Sequence, residues 1–127
     1  MGRVREHIRV NGRKCWTLFD SGARNTYVVP AVASLLATTK LPKTLRSGLG
    51  GKIQKVAKAA LLVAQVQGHE VSTNALVVRD IGKDEEGKTI EVLFGALAMQ
   101  QWGIRPVPDE ERLDLTHYPK ELLEFGS

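Results

Sequence analysis

The spacing of apolar side chains predicts a chain built mainly from β-strands. In residues 5–19, apolar positions lead into Asn11-Gly12, a strong signal for a two-residue hairpin turn, and resume beyond it. A second alternation runs into and out of Gly68, so residues 62–78 are predicted to form another hairpin. This alternation places every second side chain on one face, which is typical of a half-buried sheet.

Three further segments are predicted to be strands. Residues 91–95 are mostly apolar and end at a glycine, as a buried strand does, and residues 104–115 indicate two short strands around a charged turn. Residues 53–60 contain alanines, and lysines recur every three residues there, a spacing that also fits a helix. We interpret them as a strand.

Helices and loops complete the pattern. A short helix is predicted over residues 31–38, which follow a proline, and another over residues 96–102, with Gly103 as its C-cap. Glycines among polar and charged residues indicate loops at residues 40–51 and 80–88.

Composition narrows the class of protein. The 127 residues fit a single domain, residues 1–127, whose core is mostly Val, Leu, Ile and Ala. Cys15 is the only cysteine, which excludes an internal disulfide and multi-cysteine metal sites and makes a reducing cytoplasmic setting the default. No targeting signal is recognisable, and the longest apolar stretches, residues 27–37 and 59–64, are shorter than the roughly 20 residues of a membrane span. We therefore expect a soluble protein without a membrane partner.

The net charge of +4 conceals an asymmetry along the chain. Residues 1–58 carry +10 and residues 59–127 carry −6. Such an imbalance can indicate a nucleic-acid-binding arm, but these basic residues are spread through predicted strands and do not form a tail. We expect opposed surfaces that meet within the fold or a dimer, so nucleic acid is a disfavoured partner.

One short motif joins two apolar residues to an acidic residue and three small ones. It reads Leu18-Phe19-Asp20-Ser21-Gly22-Ala23. The motif directly follows the first hairpin, Thr26 lies three residues beyond it, and a second, apolar motif precedes the second predicted helix. The second motif reads Val92-Leu93-Phe94-Gly95.

Together the two motifs resemble those of retropepsin-like (retroviral-type) aspartic proteases, over roughly residues 5–115. Residues 96–99 resemble the bacterial and archaeal members of that family. The resemblance implies an all-β fold, a small closed β-barrel with one or two short helices, that forms a homodimer. It implies that Asp20 is catalytic, that Ser21 donates its hydroxyl across the twofold axis, and that Gly22 and Ala23 shape the active-site loop.

The chemistry of peptide hydrolysis explains why a dimer is needed. Without a metal, cofactor or covalent nucleophile, one group must deprotonate water while another protonates the carbonyl oxygen. Two carboxylates about 3 Å apart do both, because they share one proton. Asp20 begins the only Asp-Ser/Thr-Gly in the chain, so a second copy must supply the other carboxylate. The implied activity is that of an endopeptidase acting on peptide or protein substrates, with no cofactor.

A glycine-rich segment lies where the family has its flap, a hairpin that closes over the substrate. The segment comprises Gly48, Leu49, Gly50 and Gly51. An ordinary surface turn is the alternative interpretation. If the segment is the flap, Lys52 and Lys55 would make the mouth of the site positive and favour acidic substrates.

The sequence departs from the retroviral pattern at two positions. The usual Asp after the first motif and the usual Arg after the second form a structural ion pair, but here these positions hold Arg24 and Ala96. We expect Arg24 to meet a carboxylate of the acidic half instead, such as Asp114.

Other functions remain open at this level. A protein- or peptide-binding module could retain the fold without turnover, and a basic nucleic-acid-binding domain is a weaker alternative. A thiol protease built on Cys15 is disfavoured, because the three histidines are isolated and Cys15 lies on a predicted buried strand. Residues 119–125 could add to a dimer interface or pack on their own domain.

Overall fold

Nine strands and two short α-helices make up most of residues 2–120, the part of the chain that the computed structural model describes. A 3₁₀ turn, Pro108–Glu110, lies between the last two strands. In chain order the elements are β1 (Arg3–Val10), β2 (Arg13–Asp20), β3 (Thr26–Val28), α1 (Pro30–Ala33), β4 (Thr38–Leu49), β5 (Lys52–Val66), β6 (His69–Val77), β7 (Val92–Phe94), α2 (Ala96–Trp102), β8 (Arg105–Val107) and β9 (Arg112–Asp114).

Two tight turns organise the sheet. Asn11 and Gly12 join β1 to β2 with φ of 50° and 78°, and Gln67 and Gly68 join β5 to β6 with 51° and 80°. Positive φ at both central residues matches the right-handed twist of the flanking strands. Both predicted hairpins are therefore confirmed.

The seven-stranded sheet has the order β1-β2-β7-β3-β6-β5-β4. β7 lies parallel to β2 and antiparallel to β3, so a strand from late in the chain is inserted between two early ones. β1 also pairs with β5 through Arg9 and Gln65, and the sheet curls around its core. The mostly β fold with two helices is confirmed. The edge strand β1 meets β5 at this one residue pair, and a closed barrel stays a prediction.

The core lies on the inward faces of these strands. It consists of aliphatic side chains around Phe19 and Phe94, whose ring centroids lie 5.1 Å apart on the paired strands β2 and β7. Cys15 is fully buried in the same cluster. The two central strands that carry the sequence motifs are thus fixed by the most densely apolar part of the molecule.

Two predictions about the middle of the chain were wrong. The first helix ends at Ala33 and does not extend to residue 38, and residues 40–51 are not a loop, because β4 covers Thr38–Leu49. β4 pairs with β5 in register up to Lys40 opposite Lys58, shifts, and resumes at Leu45 opposite Val56. Pairing with a long neighbouring strand supplies the order that local composition does not, and the proline within the shifted stretch explains the irregularity.

The remaining elements follow the sequence pattern. Residues 53–60 belong to β5, residues 80–88 are irregular, and β7 is buried at all three positions. Helix α2 ends at Gly103, which has φ of 63° as a left-handed C-cap does. β8 and β9 form the two short strands expected within residues 104–115.

The interpretation of residues 119–125 falls mostly on residues 121–127, which lie outside the described part of the chain. Among the helices of residues 2–120, none has the length and apolar composition needed to cross a bilayer.

Replacing Gly103 with alanine is expected to destabilise the fold strongly. A Cβ there would lie 2.1 Å from the His117 carbonyl oxygen, at a residue with positive φ. The free energy of unfolding should fall by more than about 2 kcal/mol. Gly12→Ala is the matched control, since its φ is also positive but its Cβ would meet nothing within 4 Å, and it should lose about 1 kcal/mol. Urea unfolding at fixed protein concentration measures both values, and equal losses would contradict the predicted backbone clash.

Candidate active site

Asp20 is the last residue of β2 and lies at the edge of the buried core. Its strand pairs with β1 on one side and β7 on the other, and its side chain is only 8% exposed. The chain then turns sharply: Asp20 Oδ1 accepts a hydrogen bond from the Gly22 amide at 2.8 Å, and its carbonyl accepts one from the Ala23 amide at 3.1 Å. The side chain is therefore held in one orientation by its own loop, residues 20–25, called the Asp20 loop below.

The second motif holds the Asp20 loop from behind. The Gly95 amide donates to Thr26 Oγ1 at 3.0 Å, and this contact is buried. The amides of Ala96 and Leu97 donate to carbonyls of the loop at 2.7 and 3.2 Å. Gly95 must lack a side chain, because a Cβ would lie 2.2 Å from the Asn25 carbonyl oxygen. The two motifs, 75 residues apart in sequence, thus form one unit.

Ser21 contacts the start of its own chain. Its Oγ accepts a hydrogen bond from the Gly2 amide at 2.8 Å and lies 3.2 Å from the Gly2 carbonyl oxygen, which also accepts from the Ser21 amide at 2.9 Å. These bonds extend the β1–β2 ladder by one residue pair. In the single chain the Ser21 hydroxyl is therefore already engaged.

Arg3 forms an ion pair with Asp20 that the sequence interpretation missed. The Arg3 Nε lies 3.3 Å from Asp20 Oδ2, and Arg3 is 66% exposed. The hairpin register places the two residues directly opposite each other. Counting residues outward from the Asn11-Gly12 turn would have revealed this pair. In one chain, Asp20 thus faces a cation and not a second carboxylate.

A cleft of about 620 Å³ opens beside Asp20, and we call it the main cleft. The hairpin between β4 and β5 reaches over it, with Gly48, Leu49 and Gly50 among the lining residues. Ser47 Oγ donates to the Tyr27 hydroxyl at 2.9 Å, which ties this hairpin to the cleft wall. Gly51 is at the hairpin tip but not in the lining. The first motif and the glycine-rich segment therefore meet at one cavity, together with Leu93 of the second motif.

The loop at residues 80–90 forms another wall of the main cleft. Asp84 fixes it by accepting hydrogen bonds from the Trp16 indole N–H and from the amides of Glu86 and Lys88, each at 2.9 Å. The Lys88 amide bond is the largest cause that lowers the pKa of Asp84, with the Trp16 bond contributing as well. Lys88 in turn lies 3.9 Å from the centre of the Trp16 ring.

The two lysines expected at the mouth of the site lie outside the lining of the main cleft. Neither Lys52 nor Lys55 lines the main cleft. Lys52 lies 3.9 Å from Asp80, and Lys55 is exposed opposite Arg46 on the β4–β5 ribbon. Nearness in sequence to the glycine-rich tip therefore did not predict which side chains line the cavity.

The expected pairing of Arg24 with Asp114 was wrong. Asp114 forms an ion pair with Arg105 at 3.4 Å across the β8–β9 hairpin and accepts hydrogen bonds from Thr116. Arg24 lies in the Asp20 loop and borders the main cleft, and it forms no ion pair with any carboxylate of residues 2–120.

Cys15 does not contribute to this site. It is fully buried, and its burial raises the pKa of the thiol, which disfavours the reactive thiolate. His7 contacts Trp16 and Lys88 on the outer surface of the first hairpin. Burial and then the neighbouring Lys88 lower the pKa of His7. No thiol–imidazole pair is formed among these residues.

Comparison with solved structures places this geometry in a known fold. The retroviral protease-like domain of Ddi1 from Leishmania major is similar with a TM-score of 0.64 and 13% identity, over 91% of this chain and 90% of that one. EIAV protease, in a complex with the inhibitor HBY-793, is similar with a TM-score of 0.54 and 18% identity, over 83% of this chain and 92% of that one. The fold is retropepsin-like. No protein-family model matches the sequence, and no curated protein matches it.

The retropepsin-like fold brings the two sequence motifs together beside one cleft. In this fold Asp20 and the second motif occupy adjacent central strands, and the glycine-rich hairpin overhangs the same cleft. At identities of 13 and 18%, the likeness is one of fold. The chemistry must therefore be argued from the side chains themselves.

Replacing Thr26 with valine is expected to loosen the support of the Asp20 loop. Valine has nearly the same shape but leaves the buried Gly95 amide without its acceptor, which should cost about 1–3 kcal/mol of unfolding free energy. Thr26→Ser keeps the hydroxyl and should recover most of that loss. Urea unfolding compares the variants, and a stable Thr26→Val protein would contradict the role assigned to this bond.

Acidification is expected to weaken the hydrogen bonds by which Asp84 fixes the loop at residues 80–90. Because the folded-state pKa of Asp84 lies below its ordinary value of 3.8, its contribution is present above that value and is lost as the pH falls through the lower, folded-state pKa. The Trp16 indole N–H signal in ¹H–¹⁵N NMR spectra should shift with a midpoint below 3.8. The shift should be absent in Asp84→Asn, with the Trp102 indole as internal reference. A Trp16 midpoint unchanged by Asp84→Asn would refute this assignment.

Proposed function

We propose that the chain is an aspartic endopeptidase that acts as a homodimer, with Asp20 of each protomer activating water between them. One observation supports this most: the Asp20 carboxylate lies, nearly buried and held by its loop, at the edge of a cleft that a glycine-rich hairpin overhangs. The retropepsin-like fold strengthens the proposal, because it supplies this arrangement on a scaffold shared with the EIAV protease.

The reaction requires the two Asp20 loops to meet at a twofold axis. One carboxylate then takes a proton from water while the other donates its proton to the scissile carbonyl oxygen. The Ser21 hydroxyl, bonded to Gly2 in the single chain, would donate across the axis. Arg3 would have to withdraw from Asp20, and its high exposure makes that withdrawal inexpensive.

The hairpin tip, residues 48–51, is proposed as the flap. Gly50 and Gly51 both have positive φ, and Leu49 packs with Tyr27 and Leu93 against the cleft wall. Below the tip, the Ser47–Tyr27 bond and two hydrogen bonds between the Gln54 side chain and the backbone of Asp80 hold the hairpin. Opening to admit a peptide would break these contacts, and closing to exclude water would restore them.

The proposed assignment extends to the finer features of the family. We propose a single domain whose sheet closes into a barrel, of the bacterial and archaeal type, acting in the cytoplasm without a cofactor. Peptide or protein chains are the proposed substrates, and a second copy of this chain is the proposed partner.

A peptide-binding module without turnover is the second candidate. It is favoured by the ion pair between Arg3 and Asp20, since a carboxylate already paired with a cation can serve structure alone. In that case a partner would bind the Asp20→Asn protein as well as it binds the natural chain.

Mixing the natural chain with Asp20→Asn separates these functions. If each active site needs two Asp20 carboxylates, an equal mixture at constant total protein should retain about a quarter of the activity on unfolded casein, because only one dimer in four has both. Asp20→Asn alone should be inactive, and a pepstatin-type inhibitor should block the natural dimer. The assay should run between about pH 4 and 7, where a dyad sharing one proton operates.

Asp80→Asn is the matched control for that mixture. Asp80 also begins an Asp-x-Gly sequence, but it lies on an exposed loop where it pairs loosely with Lys52. Its mixtures should keep full activity at every ratio. A linear loss of activity with the Asp20→Asn fraction would show that each chain acts with a site of its own, and an absence of cleavage by the pure dimer would reject the endopeptidase proposal.

A further inference from the structure

A second cavity adjoins the main cleft behind the Asp20 loop. It has a volume of about 450 Å³, and Arg24 and Asn25 line both cavities. We call it the side groove. Its other lining residues include Leu61, Ser72, Asn74, Leu97 and Gln101. The two cavities thus meet at Arg24 and Asn25.

Arg24 is exposed, and it is the one charged residue among residues 2–120 that lines the side groove. The other two arginines of the main cleft, Arg3 and Arg5, do not line the side groove. Within residues 2–120, Arg24 is therefore the arginine placed to bind a carboxylate in the side groove.

Backbone contacts fix the position from which the Arg24 side chain extends. The Arg24 carbonyl oxygen accepts a hydrogen bond from the Leu97 amide at 3.2 Å, and the same carbonyl packs against Gly95. The side chain thus projects from an anchored residue at the border of the two cavities. A fixed origin reduces the entropy lost when the guanidinium binds an anion.

Two exposed leucines line the groove. Leu61 and Leu97 are 47% and 50% exposed, although both are large hydrophobic side chains. Asn74 lies opposite Leu61 in the β5–β6 ladder and adds an amide beside them. A surface with two exposed leucines, several neutral polar groups and one arginine fits a peptide that has both acidic and apolar side chains.

We propose that the side groove binds the part of a peptide substrate that extends beyond the main cleft, with an acidic residue at Arg24 and an apolar residue over Leu61 and Leu97. The inference rests on the proposed function, because it assigns the substrate class of that same site. Two observations favour a peptide substrate as the occupant. The groove borders the main cleft, and Arg24 has no carboxylate partner within residues 2–120.

Binding to the inactive Asp20→Asn protein tests the inference without turnover. The probes are pools of fluorescein-labelled decapeptides made of Ala, Leu, Phe and Ser, with Glu, Gln or Lys at two fixed positions. At low salt the Glu pool should bind about three- to fivefold more tightly than the Gln pool, the size expected of one partly exposed ion pair. Fluorescence anisotropy measures both affinities, and the difference should shrink as salt is added.

Charge reversal identifies the residue responsible. On the same background, Arg24→Glu should abolish the preference for the Glu pool and favour the Lys pool. Lys14→Glu makes the same charge change at an exposed position that lines neither cavity, and it should keep the original preference. Equal responses of the two variants would show a general field effect and overturn the assignment to Arg24.

Two further variants test the exposed leucines. Leu61→Ser and Leu97→Ser change exposed side chains and should weaken binding of Glu pools that contain Leu and Phe more than of Glu pools built from Ala and Ser. Sedimentation of the same variants must show unchanged assembly, because dissociation would make the groove a surface between copies. Equal binding of the Glu and Gln pools, or no binding of any pool, would also reject the inference. If the natural chain cleaves casein but the Glu and Gln pools bind equally, the side-groove inference is rejected and the endopeptidase proposal is retained.

Discussion

The Asp20 loop depends on one buried contact, the hydrogen bond from the Gly95 amide to Thr26 Oγ1, and on the missing side chain at Gly95. The close approach of backbone to backbone lets two more amides reach the loop carbonyls. Because β7 is itself buried between β2 and β3, this support cannot shift without disturbing the core. The position of the carboxylate is therefore set by packing that no substrate contacts.

The front of the same loop is held much less firmly. Gly2 and Arg3 bind Ser21 and Asp20 through contacts that lie at the surface. Exposed ion pairs and hydrogen bonds contribute little, so a partner loop that offers equivalent donors can replace them at small cost. The loop is thus held rigidly by its own core and loosely at its front, the combination that the proposed two-chain site requires.

Much of this fold could be predicted from local pattern. The Asn11-Gly12 turn, the buried strand before Gly95 and the cap at Gly103 each depend on a few adjacent residues. β4 could not be predicted, because its order comes from pairing with β5 and not from its own residues. Long-range pairing of this kind leaves no local signal in composition.

The candidate site was likewise predictable only in part. The position of Asp20 in a motif was visible, and so was the second motif, but the partners of charged side chains were not. Arg3 opposite Asp20 follows from hairpin register, whereas Arg105 with Asp114 replaced the pair expected for Arg24. The lysines near the hairpin tip were assigned to the cleft because they are close to it in sequence, but they do not line it.

The register of the β4–β5 ribbon has a consequence for the motion of its tip. Lys40 faces Lys58 and Arg46 faces Lys55 across the two strands, so like charges lie directly opposite one another in an arm without an acidic residue. Each such pair destabilises the pairing of the two strands by a few tenths of a kcal/mol, up to about 1. Dissolved salt screens that repulsion. Raising the ionic strength therefore stabilises the pairing of β4 with β5, and lowering it weakens that pairing. This effect is independent of any charge that a bound peptide carries.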